Sequence, residues 1–310
     1  MPNHHTSVIV FAFDRPDHLG RTLLALAACA EASTTRVTIY CDGARRESDA
    51  DRVAQVRSVA RAATGFASVD VVERERNLGL AASIIDGVTS QLAREERVIV
   101  LEDDIVVSPH FLRYMNDALE MYANDEQVAS IHGYVYPVAE ALPETFFLRG
   151  ADCWGWATWA RAWRNFRADG PGLLSELRAQ RLTRAFDFDG AYPYTRMLED
   201  QIAGRNNSWA VRWHASCFLR GMLTLYPGRS LVVNIGNDDT GTHSGATSDY
   251  DVKLLERPVE LHRIELVAST SATIAIARFF RHRRSLTRRI ANRVRRMLPR
   301  RHSSPSASPT

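Results

Sequence analysis

Cysteine is scarce in this chain: four residues, at 29, 41, 153 and 217, lie too far apart for metal-ligand or disulfide-framework spacing. A reducing, cytosolic setting fits that usage. The start Met1-Pro2-Asn3-His4-His5 lacks the basic segment and apolar core of a secretory signal, and no apolar run approaches the ~20 residues of a membrane span. Neither a Gly-rich dinucleotide fingerprint nor a P-loop follows any apolar run, so dehydrogenase and kinase readings lose their main support. There is no internal repeat. Acids are missing from Arg278 to His302, a stretch that holds eleven arginines. Taking those eleven charges from the net +3 leaves −8, so the pI near 8.8 belongs to the tail and says little about the body.

What remains is an ordinary globular composition, 45% apolar and 24% charged, long enough for a large core or two subdomains. The most informative stretch runs from Arg97 to Pro109. Its apolar residues Val98-Ile99-Val100-Leu101 read as a strand buried on both faces, and Glu102-Asp103-Asp104 follow at its end. Three adjacent acids repel one another and resist desolvation, so their natural partner is a divalent cation bound through oxygen. The plainer alternative is a solvated turn before a helix capped by Ser108, with Pro109 at its first position.

The first half alternates strands and helices. Strands are predicted at Ser7 to Phe13, Arg36 to Cys41, Ser68 to Val72 and along the acidic stretch, with helices from about His18 to Ala30, Ala50 to Ala63, Gly79 to Ala93 and His110 to Tyr122. This pattern means an α/β layer with a mostly parallel sheet, whose ligands gather at the strands' carboxyl ends. Asp14-Arg15-Pro16, Asp42-Gly43 and the loop ending in Asn77 all lie at such ends. A fifth strand is expected near Val128 to His132.

The second half shifts toward aromatics, with helices expected at about Trp156 to Asn165, Leu173 to Ala185, Pro193 to Ala203 and Trp209 to Gly221. Short strands at Leu223 to Tyr226 and Ser230 to Ile235 precede a polar loop from Gly236 to Gly245. From about Ile274, Phe279, Leu286, Ile290, Val294 and Leu298 fall near one helical face with arginines on the others. That is a basic amphipathic helix suited to an anionic membrane surface; the alternative is a helix docked on the body with a solvated basic face. No aromatics interleave the last nine arginines, so nucleic acid is not expected. Three segments follow: a body over 1–245 (halves 7–132 and 133–245), an extension over 246–302 with the basic helix, and a disordered tail over 303–310.

A metal at an acidic strand end in such a sheet suggests a diphosphate ligand. Asp42, beside flexible Gly43, suits a hydrogen bond from a base imide or a simple turn role. Arg15 suits the nucleotide, its phosphates, or a pair with Asp14.

The stretch from Val98 to Phe111 resembles the metal-binding region of N-acetylglucosaminyltransferase I and its bacterial, family 2-like relatives, inverting glycosyltransferases of the GT-A fold. The order of Ala12-Phe13-Asp14-Arg15, Asp42-Gly43, Asn77-Leu78-Gly79 and Gly155-Trp156 agrees. The likeness spans roughly residues 7 to 245. It implies an α/β nucleotide-diphospho-sugar transferase fold with a mostly parallel sheet flanked by helices. By that resemblance Asp104 is the metal ligand for Mn²⁺ or Mg²⁺, while Asp103 and Glu102 hold ribose and donor sugar. Asp42 reads uracil, and Phe13, Arg15 and Asn77 line the nucleotide-sugar. Trp154, Gly155 and Trp156, with Trp159, fall on the acceptor side, where aromatic faces stack on sugar C–H surfaces. Core packing is the alternative for these rings.

An inverting transfer needs a carboxylate that takes the acceptor proton. Asp200, with Glu199 beside it, matches by order the family's acidic base, although the tryptophan-flanked acid pair is replaced here by Leu198-Glu199-Asp200-Gln201; Asp238-Asp239 is the other candidate. His243, in the Gly/Thr/Asp loop, is a candidate for the metal shell or the diphosphate. The expected activity is transfer from a UDP-sugar to a glycan or lipid-linked acceptor at the cytoplasmic membrane face, in surface polysaccharide assembly. Two alternatives are a sugar nucleotidyltransferase, for which Asp14-Arg15-Pro16-Asp17 lacks the Gly- and basic-rich loop, and a non-catalytic glycan-binding protein.

Overall fold

The computed structural model describes residues 6–238 and 247–284. In chain order the elements are β1 (Val8–Ala12), α1 (Pro16–Ala27), β2 (Arg36–Cys41), α2 (Ala50–Arg61), β3 (Ser68–Glu73), α3 (Leu80–Leu92), β4 (Arg97–Glu102), β5 (Ile105–Val107), α4 (Phe111–Met121) and β6 (Val128–His132). The second half adds β7 (Thr145–Arg149), β8 (Trp156–Trp159), α5 (Ala160–Trp163), α6 (Gly170–Ala179), α7 (Thr183–Phe186), α8 (Tyr194–Ile202), α9 (Trp209–Leu219), β9 (Leu223–Pro227), β10 (Val232–Asn234) and α10 (Thr270–Arg284).

Eight strands form one sheet in the order β3-β2-β1-β4-β8-β6-β9-β7. The first four are mutually parallel, β8 and β7 run against their neighbours, and β6 and β9 pair in parallel. Both halves of the chain therefore share one sheet. Val8–Ala12 is buried along its whole length, as a continuous apolar strand in the middle of such a sheet must be. Each such Val or Ile side chain contributes about 1.5–3 kcal/mol on burial. A separate antiparallel pair joins β5 to β10, with Ile105 opposite Asn234 and Val107 opposite Val232. That small ribbon ties the acidic turn after β4 to the chain 130 residues downstream.

Three expectations need correction. Trp156–Trp159 is a strand, held between β4 and β6, and only Ala160–Trp163 is helical; the alternation of Trp and Thr with alanine serves a strand buried on both faces. The helix expected over Leu173 to Ala185 breaks after Ala179, where Arg181 takes a positive φ of 56° and a second short helix starts at Thr183. β5 and β7 were not anticipated at all.

The tail helix is docked. Ala272, Ala275, Ile276, Ala277 and Phe280 of α10 are buried with Val135, Phe146, Leu148 and Tyr226, and Ser269 N donates to Phe147 O at 2.8 Å. Phe279, placed on the membrane-facing stripe by its sequence pattern, packs against Tyr136 with ring centroids 5.9 Å apart. Over its described residues this helix follows the docked alternative. The rest of the basic stretch, with Leu286, Ile290, Val294 and Leu298, lies outside the described residues. No described helix is long and apolar enough to cross a membrane.

Candidate active site

The carboxyl ends of β1, β2 and β4 converge on one group of polar side chains. Arg15 is placed by α1: it immediately precedes Pro16 at the helix's first position, and its carbonyl accepts from Leu19 N at 3.1 Å. β4 ends between β1 and β8, and the chain turns through Asp103 and Asp104 before entering β5. Arg15 Nη2 donates to Asp103 Oδ1 at 2.5 Å and to Asp104 Oδ2 at 2.9 Å. Phe13 N reaches Asp103 Oδ2 at 3.4 Å, and Thr22 Oγ1 donates to the Asp103 carbonyl at 2.7 Å. The Arg45 guanidinium covers the Phe13 ring 4.5 Å from its centroid.

One guanidinium faces three carboxylates. Burial pushes the Glu102 carboxyl up to about 8, with repulsion from Asp104 and Asp103 adding to it. Burial likewise raises Asp103 to about 7, against the attraction of Arg15 and with the help of Asp104. Burial alone would lower the pKa of Arg15, but Asp103 and Asp104 outweigh it and raise it, which makes Arg15 a fixed cation. Asp104 Oδ1 and Arg15 Nη1 are buried with no hydrogen-bond partner among the described residues. A buried carboxylate oxygen left unsatisfied, in an all-oxygen cluster with excess negative charge, suits a hard divalent cation. Among the described residues no three His, Cys, Asp or Glu side chains form a metal-ligand cluster. Small cations such as Mg²⁺ are commonly held by one or two carboxylates together with water and substrate phosphates, so Asp104 with its neighbours fits that mode. His243 lies outside the described residues.

The β5–β10 ribbon brings a further loop to the acids. Ile235 N donates to the Asp104 carbonyl at 2.9 Å, and Gly236 approaches so closely that a Cβ there would lie 2.2 Å from Asp104 Oδ2 and 2.7 Å from Arg15 Nη1. Only glycine fits. Next to it, Asp238 Oδ2 lies 3.2 Å from His18 Nε2, at ion-pair distance. Gly236, Thr22 and His18 were missed by the sequence reading. The one signal for them was their position, in the first turns of the helix after Arg15 and directly after a short strand.

Asp42 is 6% exposed, and its carboxylate accepts four hydrogen bonds: Gly43 N and Leu78 N on Oδ1, both 2.9 Å, and Asn77 Nδ2 at 3.0 Å and Gly79 N at 2.9 Å on Oδ2. Asn77 Nδ2 also donates to Gly43 O at 2.8 Å. Gly43 permits this, because a Cβ would fall 2.4 Å from the Arg76 carbonyl carbon. In this state Asp42 and Asn77 clamp two loops together.

The expected acceptor residues separate. Trp156 is 1% exposed and stacks on Trp209 at 5.4 Å, so it offers no face to a sugar; Trp159 is buried, its indole N–H donating to Leu119 O at 3.2 Å. Both belong to the core, which corrects their assignment to the acceptor. Gly155 O accepts from Gly133 N at 2.7 Å. Trp154 is half-buried, edge-on to Tyr134 at 4.8 Å and to Tyr250 at 5.5 Å.

The expected base is a poor one. Asp200 Oδ1 accepts from Arg205 Nε at 2.8 Å and Nη2 at 2.5 Å, and Arg196 Nε lies 3.1 Å away. The Arg205 hydrogen bond holds its carboxyl below the usual range. Glu199 pairs with Arg178 at 2.8 Å. α8 packs against α6 and α9, and its acids are knit into surface arginine pairs, the wrong setting for a group that must accept a proton. Asp239 lies outside the described residues.

A parallel-led sheet thus gathers acids, an arginine and a glycine loop at its carboxyl ends, where α/β layers of this kind bind their ligands. The family model described as Glycosyltransferase like family 2 matches residues 2–161, just over half of the chain. The protein belongs to that family and is a glycosyltransferase. No curated protein matches the sequence. Among solved structures, the chain is similar to a mannosyltransferase from Pyrobaculum calidifontis in complex with GDP-Man and Mn²⁺, at 14% identity, TM-score 0.41 and 69% coverage of each chain. It is also similar to S. aureus TarS, at 17% identity and TM-score 0.31, over 47% of this chain and 24% of TarS, so it spans about a quarter of that protein. An active-site mutant of LgtC is 12% identical, with TM-score 0.33, over 56% of this chain and 64% of that one.

Proposed function

We propose that this protein is a metal-dependent inverting glycosyltransferase that moves a sugar from a nucleotide-diphospho-sugar, with UDP as the nucleotide, to a glycan or lipid-linked acceptor in cell-surface polysaccharide assembly. The observation that carries this reading is Asp104 Oδ1, buried and unsatisfied among the described residues, inside an acid cluster that one described arginine faces. A Mn²⁺ or Mg²⁺ bound there supplies charge neutralisation for the leaving diphosphate. Asp104 would be its protein ligand, with Asp103 and Glu102 toward ribose and donor sugar. Arg15 adds a permanent positive charge beside the same site. Phe13 and Arg45 present a ring and a cation beside the nucleotide. The Asp42 clamp shapes the floor on which a uracil would lie, and reading its imide requires Asp42 to exchange one of its loop hydrogen bonds for the base. The seven arginines beyond residue 284 would hold the protein peripherally on an anionic membrane surface, on the cytoplasmic side.

The test is a panel of UDP-sugars, with GDP-mannose as a comparison, followed by UDP or GDP release with Mn²⁺, with Mg²⁺ and with chelator. Release from one UDP-sugar that chelator stops is expected. If no sugar nucleotide binds or breaks down under any metal, the reading is wrong.

A further inference from the structure

With Asp200 held in arginine pairs, another carboxylate among the described residues, on the side expected to receive the acceptor, makes no arginine pair. Asp152 lies between β7 and β8, three residues before Gly155. Its Oδ2 accepts from the Tyr136 hydroxyl at 2.7 Å and its Oδ1 from Cys153 N at 2.9 Å. It makes no ion pair among the described residues, and it is half-buried rather than sealed. Around it stand half-buried rings: Trp154 edge-on to Tyr250 at 5.5 Å, Tyr136 6.4 Å from Tyr250, and Tyr192 4.5 Å from Tyr194.

The segment abuts the acid turn. A Cβ on Gly155 would lie 3.3 Å from Ile105 Cγ2 and 3.5 Å from Leu101 Cδ2, which flank the acid turn, and 2.8 Å from Val232 Cγ1 of β10. Burial pushes the Cys153 thiol up, and the negative charges of Asp152, Glu102 and Asp104 add to that shift. α10 backs this surface: Phe280 packs against Tyr136 at 4.9 Å and Tyr192 at 4.6 Å. A partly open wall of rings around one carboxylate is the composition that receives a sugar, with ring faces for C–H surfaces and an acceptor for a hydroxyl.

We propose that Asp152 is the catalytic base that takes the proton from the attacking acceptor hydroxyl, and that Tyr136, Trp154, Tyr192 and Tyr250 form the platform that binds the acceptor sugar. This rests on the inverting glycosyltransferase reading above. The acceptor oxygen forms the new bond to the anomeric carbon as the bond from that carbon to the diphosphate oxygen breaks. The electron pair leaves with the nucleoside diphosphate, and the proton passes to the Asp152 carboxylate.

The test uses the full chain with Mn²⁺ and the UDP-sugar that the wild type binds. Two quantities are read: donor affinity by calorimetry, and UDP release over a day with water or a panel of methyl pyranosides as acceptors. Asp152→Asn is expected to slow release about 10²–10⁴-fold while donor affinity stays within about twofold. Asp152→Glu, which keeps the carboxylate, is expected to retain affinity and release UDP at an intermediate rate; it decides the matter alone if Asp152→Asn does not fold. Wild-type release by Asp152→Asn, or by Asp152→Glu where only that variant folds, overturns the proposal. So does a loss of donor affinity equal to the loss of rate, or a comparable loss of rate confined to Asp238→Asn. A wild type that binds donor but releases nothing with any acceptor also counts against a base sharing the donor's site. A wild type that binds no sugar nucleotide sinks the parent reading, a result distinguishable from all the others.

Discussion

At the residue scale, charge imbalance governs the site: Glu102, Asp103 and Asp104 crowd together, and among the described residues Arg15 alone opposes them. Glu102 and Asp103 have folded-state pKa values raised to about 8 and about 7, so between roughly pH 4.5 and 8 the folded protein holds more protons than the unfolded chain. By linkage, this part of the stability is present at low pH and lost as pH rises through that window. A divalent cation competes with those protons. The melting temperature of the metal-free protein should therefore fall between pH 6 and pH 8, and Mn²⁺ should raise it more at pH 8 than at pH 6. Thermal melts at the two pH values check this; an equal metal effect at both would mean that the acids are already ionised without the cation. The acids themselves were legible in the sequence, because a buried strand can deliver three carboxylates only to its end. Their partners were less so. Arg15 could be placed at the right loop, yet its choice of Asp103 and Asp104 over Asp14 depends on how α1 aims it. Asp42 looked like a base reader or a turn residue, and its four hydrogen bonds come from residues 43 and 77–79, whose approach no spacing encodes.

At the element scale, the parallel strands β1 to β4 and the helices between them were readable, since each is a long apolar run or a clear helical stripe bounded by turn residues. β5, β7 and β8 were not. β5 has three residues, β7 reads as scattered aromatics, and β8 carries two tryptophans that fit a helical stripe equally well until neighbouring strands claim them. Asp200 failed for a related reason: order along the chain pointed to it, but α8 turns its acids toward Arg178, Arg196 and Arg205. The tail divides into a part that packs and a part that remains basic. Deleting residues 285–310 removes seven arginines but none of the buried α10 residues. That truncation should melt within about 2 °C of the full chain while losing co-sedimentation with vesicles of anionic phospholipid. Truncation after residue 269 should instead lower the melting temperature sharply, because burial of Ile276 and Phe280 is lost, on the order of 5 kcal/mol for two large core side chains. Full vesicle binding by the shorter deletion would show that the arginines do not hold the membrane.

At the scale of the whole molecule, one continuous sheet joins the two halves, with β8 of the second half inserted beside β4 of the first. The segment from Asp152 to Gly155 and the acid turn therefore adjoin neighbouring strands, and the β5–β10 ribbon brings Ile235 and Gly236 to the same place. In the proposed function, Asp104 would hold a cation that in turn holds the sugar nucleotide. The most direct measurement is calorimetric titration of the UDP-sugar into wild type and Asp104→Asn, each with and without Mn²⁺. The wild type should bind only with Mn²⁺, and Asp104→Asn, folded as judged by its melting curve, should lose about 10–100-fold in affinity or all binding. Equal affinity of the two proteins, with the same response to Mn²⁺, would contradict the account.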